Sequence, residues 1–196
     1  MMAETFFPRD YVCAQWAYSE LQSPTQGERY QHLISSEILQ KSHKLPFDQL
    51  ETNECAQLAS AWNKVRGAEI FGQALNGFTN FRLIEWTRDE LARSYVIPMF
   101  AGEVGNSLAP FTFRHWIETE SLVDLHRHHA RNANAAEYRP DHEPALAALV
   151  AISTMLGGSG VAYWMKAFML LDGYHRAVSL WRRNDPSDRL RIYVSV

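Results

Sequence analysis

The chain has 196 residues, 46% hydrophobic and 21% charged, a globular balance that excludes wholesale disorder and suffices for the core of a single domain over 1–196. A formal charge of −3 at pH 7 supplies no global pull toward phosphate backbones, so nucleic acid is not an expected partner. Two cysteines, Cys13 and Cys55, with neither Cys-x-x-Cys nor zinc-ligand spacing, no apolar run of membrane-spanning length and no export-type start, point to a cytoplasmic protein without disulfide, metal or membrane partner.

In chain order, Val12, Trp16, Ala17 and Leu21 recur at helical spacing and stop at Ser23-Pro24, predicting a first helix. Tyr30, Leu33, Ile34 and Ile38 form a second such stripe. A third helix starts near Asn53, with Leu58, Trp62 and Val65 on one face, and Gly67 is placed for a left-handed C-terminal cap. These stripes make an N-terminal helical front over 1–78, followed by an α/β core over 79–196.

The period then changes. Phe81 to Trp86 is rich in strand formers, and Thr87-Arg88-Asp89-Glu90 has the form of a capping box opening a short helix. Tyr95 to Phe100 reads as a second strand, placed at an edge by Pro98. Phe111 to Ile117 is compatible with extended chain, and Ser121 to Asn134 is polar and His-rich. The apolar run Ala145 to Ile152 is not assigned by periodicity, though Asp141 and Glu143 before it favour a helix start. Gly157-Gly158-Ser159-Gly160 breaks the chain and lacks the Lys-Ser/Thr of a phosphate-binding P-loop.

The end carries the sharpest pattern. Ala167 to Leu171 is a buried-type strand, Asp172-Gly173 a tight turn, and Tyr174 to Arg183 a helix with Ala177, Val178 and Trp181 inward. Leu190 to Val196 closes as a strand in which Ile192, Val194 and Val196 alternate with Arg191, Tyr193 and Ser195. Strand, crossover helix and strand in so short a span predict an α+β fold with a small parallel or mixed sheet.

A glycine between strand and helix permits a sharp turn, and the amides that open the helix can face an anion. Arg176 adds a fork of donors for carboxylate or phosphate, His175 can move a proton near neutral pH, and Asp172 can orient either. The competing explanation is structural: Asp172 caps the helix, Gly173 makes the turn, and His175 and Arg176 are solvated. Elsewhere, Arg114, His115 and Glu118 fall in one short stretch whose Arg and Glu share a face on a helix or a strand, a geometry suited to a catalytic pair and also to an ordinary surface ion pair. Glu103 is a further candidate base. Asp124, His126, His128 and His129 suggest metal ligation, but no third ligand is fixed by spacing, and a metal-free His cluster is favoured. Six tryptophans, Trp86, Trp164 and Trp181 among them, fit an aromatic pocket wall or a Trp-rich core.

The run Leu171-Asp172-Gly173-Tyr174-His175-Arg176-Ala177, followed by Leu190 to Val194, resembles the signature box of the ParB/sulfiredoxin-like superfamily. The resemblance covers about the last thirty residues and implies a small mixed sheet whose turn lines a nucleotide or small-molecule site. Tyr174 stands where sulfiredoxins carry a catalytic Cys, which removes that chemistry, and the sequence given shows no helix-turn-helix after the box, as partition proteins do. More widely, Trp16, Glu20 to Pro24, Gly27 to Tyr30, Trp86-Thr87, Val96 to Ala101 and Leu171 to Trp181 are similar to McbB-like β-carboline synthases, bacterial Pictet-Spengler enzymes built on a ParB-like core.

That likeness implies condensation of tryptophan or a related arylethylamine with an aldehyde, without a cofactor, in an enzyme compatible with a homodimer. By resemblance, Glu118 is the acid/base and Arg93, followed by Ser94, the substrate-holding arginine. His115 and His175 join Glu118 as catalytic candidates, and Arg114, Asp172, Arg176 and Trp181 join Arg93 and Ser94 as substrate-binding ones. Two alternatives stand beside it: a nucleotide-dependent amino-acid kinase using the turn for phosphate, and a non-catalytic ParB-like binding or regulatory module.

Overall fold

The computed structural model describes residues 5–23, 26–96, 112–118, 144–155 and 162–196. Its helices and five-stranded mixed sheet, in the order β1-β2-β5-β3-β4, place the chain in the α+β class that the sequence predicts. Contacts divide the chain into two compact units, Met1–Arg82 with Ser195–Val196, and Leu83–Val194.

The first unit begins with strand β1 (Phe6–Pro8), which pairs antiparallel with the start of β2 (Asn80–Trp86). Helices α1 (Arg9–Glu20), α2 (Gly27–Tyr30), α3 (Ser36–Ser42), α4 (Thr52–Arg66) and α5 (Ile70–Leu75) fill the interval. The first stripe lies inward as expected, with Val12, Trp16, Ala17 and Leu21 all buried, and Trp16 meets Trp62 of α4 at 5.3 Å between ring centroids. The second expected helix is in fact two. Ser35 is extended, with φ −69° and ψ 153°, and its side chain caps α3 by accepting from the Ile38 amide, so the chain breaks between Tyr30 and Ile38 although both are buried. Gly67 is not a left-handed cap either: its φ is −60°, because the chain continues in right-handed turn geometry toward α5. At the other end of α4, Glu51 and Glu54 form a reciprocal capping box that the sequence pattern did not announce.

A buried ionic cluster ties α1, α2 and α4 together. Arg66 donates to Glu20 and, at 2.7 Å, to Glu69, which also accepts from Arg29 at 2.6 Å. The phenol of Tyr30 donates to Glu20 as well. Burial works against the charge on Arg66, but Glu20 and Glu69 outweigh it and the guanidinium is held more firmly protonated than usual. Burial also opposes charge on Glu69, yet Arg66 and Arg29 leave its carboxyl below the ordinary range. Burial, then the charge of Glu20, pushes the Tyr30 phenol upward.

The second unit contains the rest of β2, then α6 (Arg88–Arg93), α7 (Phe113–Glu118), β3 (Ala145–Met155), β4 (Ala162–Asp172), α8 (Tyr174–Arg183) and β5 (Leu190–Ser195). The predicted capping box at α6 is present: the Thr87 hydroxyl accepts from the Glu90 amide at 3.2 Å and the Glu90 carboxylate accepts from the Thr87 amide at 2.7 Å. Of the expected strand at 95–100, Tyr95 makes isolated bridges to Thr112 and Met169, and residues 97–100 lie outside the described residues. One segment that the sequence leaves open is assigned, and one expectation is corrected. Residues 113–118 are helical, with Phe113 and Trp116 buried three positions apart. Ala145–Met155 is an eleven-residue strand, antiparallel to β4 and parallel to β5. Residues 145–148 are all buried, so the run lacks the alternation that marks a one-faced strand.

Helix α8 turns Ala177, Leu180 and Trp181 into a core with Ala145 and Ala147 of β3 and Leu190, Ile192 and Val194 of β5, while Val178 is only partly buried. The alternation expected for β5 fails for a related reason: Tyr193 and Ser195 are buried too, and Val196 is 54% exposed.

Candidate functional site at the Gly173 turn

The register of β3 against β4 passes from Leu146 opposite Asp172 to Ala147 opposite Leu170, so Leu171 is an extra residue that bulges the strand just before the turn. A bulge bends the strand and re-aims the residue after it. Gly173 then takes φ +89° and ψ 19°, a left-handed conformation that an L side chain rarely adopts, and Ala177 closes the first helical turn by donating to the Gly173 carbonyl at 2.9 Å. Space demands glycine as well, since a Cβ at this position would sit 2.5 Å from the Ala145 Cβ.

The structural explanation for Asp172 as a helix cap is not what the chain does. The N-cap is Gly173 and no side chain caps α8; Asp172 instead accepts from Arg176 at 2.9 Å, one helical turn ahead. The pair is partly shielded, with side-chain exposures of 32% for Asp172 and 15% for Arg176. The bond fixes the guanidinium beside the helix opening, where helix geometry leaves first-turn amides without intrahelical acceptors. His175 belongs to that same first turn, and its side chain lies outside the described residues.

Helix α7 is fastened to α8 at two points. The Trp116 and Tyr174 rings meet edge-on at 5.6 Å, and Phe113 meets Trp181 at 5.8 Å. Tyr174 in turn donates to the Leu170 carbonyl at 2.6 Å, and the Phe113 amide donates to the Ser94 carbonyl at 2.7 Å. With Phe113 and Trp116 inward, Arg114, His115 and Glu118 are left on the solvent side. Arg114 and Glu118 approach to 3.8 Å at 57% and 58% exposure, a surface pair of at most about 1 kcal/mol.

The other predicted positions separate. Arg93 is exposed and its Nε donates to the Asp89 carbonyl of its own helix at 3.1 Å, while the Ser94 hydroxyl is buried and donates to Leu91 at 2.8 Å. Trp181 is 9% exposed and Trp86 is 4% exposed, both in the hydrophobic core, with Trp86 edge-on to Phe168 at 5.8 Å. Glu103, Asp124, His126, His128, His129, the Gly157–Gly160 segment and the Trp164 side chain lie outside the described residues. Among the described residues no three His, Cys, Asp or Glu side chains group as metal ligands, and no helix is long and apolar enough to cross a membrane.

Three participants were given no role by the sequence. Tyr174 and Trp116 form the joint between α7 and α8, and Arg88 stacks 3.9 Å from the Trp181 ring centroid. No local pattern links Arg88 to Trp181, since the capping box explains residues 87–90 by itself. In the first unit, a cleft of about 680 Å³ opens along α4 beside Tyr11, Cys55 and Lys64. Comparison with family models, curated proteins and solved structures finds no match.

Proposed function

We propose that the chain is a small-molecule biosynthetic enzyme that condenses tryptophan or a related arylethylamine with an aldehyde, as the β-carboline synthases it resembles do. The supporting observation is the Trp116–Tyr174 contact, which brings the helix bearing Arg114, His115 and Glu118 against the first residue of the helix that follows Gly173. A carboxylate, an imidazole and an arginine thus share one unit with the Asp172–Arg176 pair.

In this reading the amine nitrogen adds to the aldehyde carbon and the carbinolamine loses water to give an iminium ion. An acid assists departure of the hydroxyl. The indole C2 carbon then attacks the iminium carbon, and a base removes the C2 proton to restore aromaticity. Glu118 fills the acid/base role, His115 and His175 are the alternative proton carriers, and Arg176, oriented by Asp172, holds a substrate carboxylate. No redox step arises, and the balance is amine plus aldehyde giving product plus water.

One observation favours the second reading, a binding or regulatory module without catalysis: Glu118 is 58% exposed, on the solvent side of α7 rather than enclosed in a pocket. The test is incubation of the whole chain with tryptophan and an aldehyde panel, read by mass spectrometry for a product lacking one water and by chiral chromatography. An excess of one stereoisomer, absent with heat-denatured protein and lost in Glu118→Gln, is expected. Product formed at the uncatalysed rate and in the uncatalysed stereoisomer ratio defeats the enzyme reading, and full turnover by Glu118→Gln removes that residue from it. Saturable ATP binding with magnesium instead would point to the kinase alternative.

A further inference from the structure

Trp181 is reached by more than one cation. The Arg88 guanidinium carbon lies 3.9 Å from its ring centroid and that of Arg114 lies at 6.0 Å, so α6 and α7 each contribute an arginine to one indole of α8. Stacking on a buried ring holds a guanidinium flat and spends little further entropy when its outer edge meets an anion. Arg88 has no ion-pair partner among the described residues, and its Nε is buried without a hydrogen-bond acceptor. Arg114 has only the exposed Glu118 carboxylate, at 3.8 Å, beyond hydrogen-bonding distance. The acids nearest in sequence to Arg88 do not neutralise it: the Glu90 carboxylate is engaged by the Thr87 amide and hydroxyl, and Asp89 is exposed.

With both guanidinium carbons within 6.0 Å of one ring centroid the two like charges repel each other, and an anion between them removes that cost. We infer that Arg88 and Arg114, backed by Trp181, form a binding site for the oxyanion of a small molecule, a carboxylate or a phosphate monoester, bridged by the outward N–H groups of both guanidinium ions. The site is distinct from the Asp172–Arg176 pair and does not depend on the reaction proposed above.

The test is calorimetric titration of the whole chain with inorganic phosphate and, separately, with benzoate, at constant ionic strength so that general screening is equal. Saturable binding of at least one probe is expected, weakened tenfold or more in Arg88→Gln and in Arg114→Gln, strengthened in Glu118→Gln, and retained in Arg176→Gln. Binding of phosphate alone assigns a phosphate-bearing ligand, and binding of benzoate alone a carboxylate. Arg114 is exposed, so Arg114→Gln decides the matter even if Arg88→Gln fails to fold. No saturable response to either probe, unchanged affinity in Arg114→Gln, or loss confined to Arg176→Gln overturns the assignment.

Discussion

Replacing Gly173 by alanine imposes two separable penalties. A left-handed backbone costs an L residue about 1–2 kcal/mol, and Gly173 sits at φ +89°. The new methyl would also lie 2.5 Å from the Ala145 Cβ and 3.0 Å from its Cα, both inside contact distance and attached to a buried strand. Forcing a methyl into a packed site costs about 1–3 kcal/mol, so Gly173→Ala is expected to lose roughly 2–5 kcal/mol. For a chain of this size each kcal/mol moves the melting temperature by about 2–4 °C, which predicts a fall on the order of 4–20 °C by calorimetry. Two further variants separate the terms. Ala145→Gly combined with Gly173→Ala removes the Cβ–Cβ clash and leaves the backbone cost, so it should be less damaged than additivity predicts. Gly77→Ala, where an added Cβ meets nothing within 4 Å, should be neutral or slightly stabilising. If Gly173→Ala melted within a degree of the native protein, the left-handed, close-packed turn would be refuted.

Arg66→Ala leaves Glu20 and Glu69 without their shared cation in a largely buried setting and is expected to cost about 3–5 kcal/mol in urea unfolding. The depressed Glu69 carboxyl gives a pH dependence of definite sign: its contribution is complete above the unfolded value near 4.5 and is lost as pH falls through the lower folded value, so Glu69→Gln should flatten the acid limb of a stability-against-pH curve. Thr87→Ala removes the hydroxyl that caps α6 and should cost about 1 kcal/mol by the same unfolding assay. The two thiols should separate under alkylation near pH 8. Burial pushes Cys13 up to about 12 and leaves it 0% exposed, whereas Cys55 lines the cleft along α4, so peptide mapping should find Cys55 labelled first and Cys13 only after unfolding.

What could be read from the sequence has its cause within about one helical turn. The Thr87–Glu90 box, the Asp172-Gly173 turn and the inward stripe of α1 are each decided by residues that touch within a few positions, and each is present. The errors arise where a distant partner decides. Ala145–Met155 became a strand because β4 and β5 flank it, and its first residues, buried throughout, carry no period that distinguishes strand from helix. Residues 113–118, too short a stretch to be assigned from sequence, coil so that Phe113 and Trp116, three positions apart, both meet α8. The candidate site divides along the same line. Asp172 and Arg176 are four residues apart, so their pairing is a local event that the sequence exposes. The approach of Arg88 and Arg114 to Trp181 requires three helices to be in place first, and the same packing puts Trp181, expected inward, in the core. An aromatic that reads equally as pocket wall or core is thus core here, with two guanidinium groups beside it.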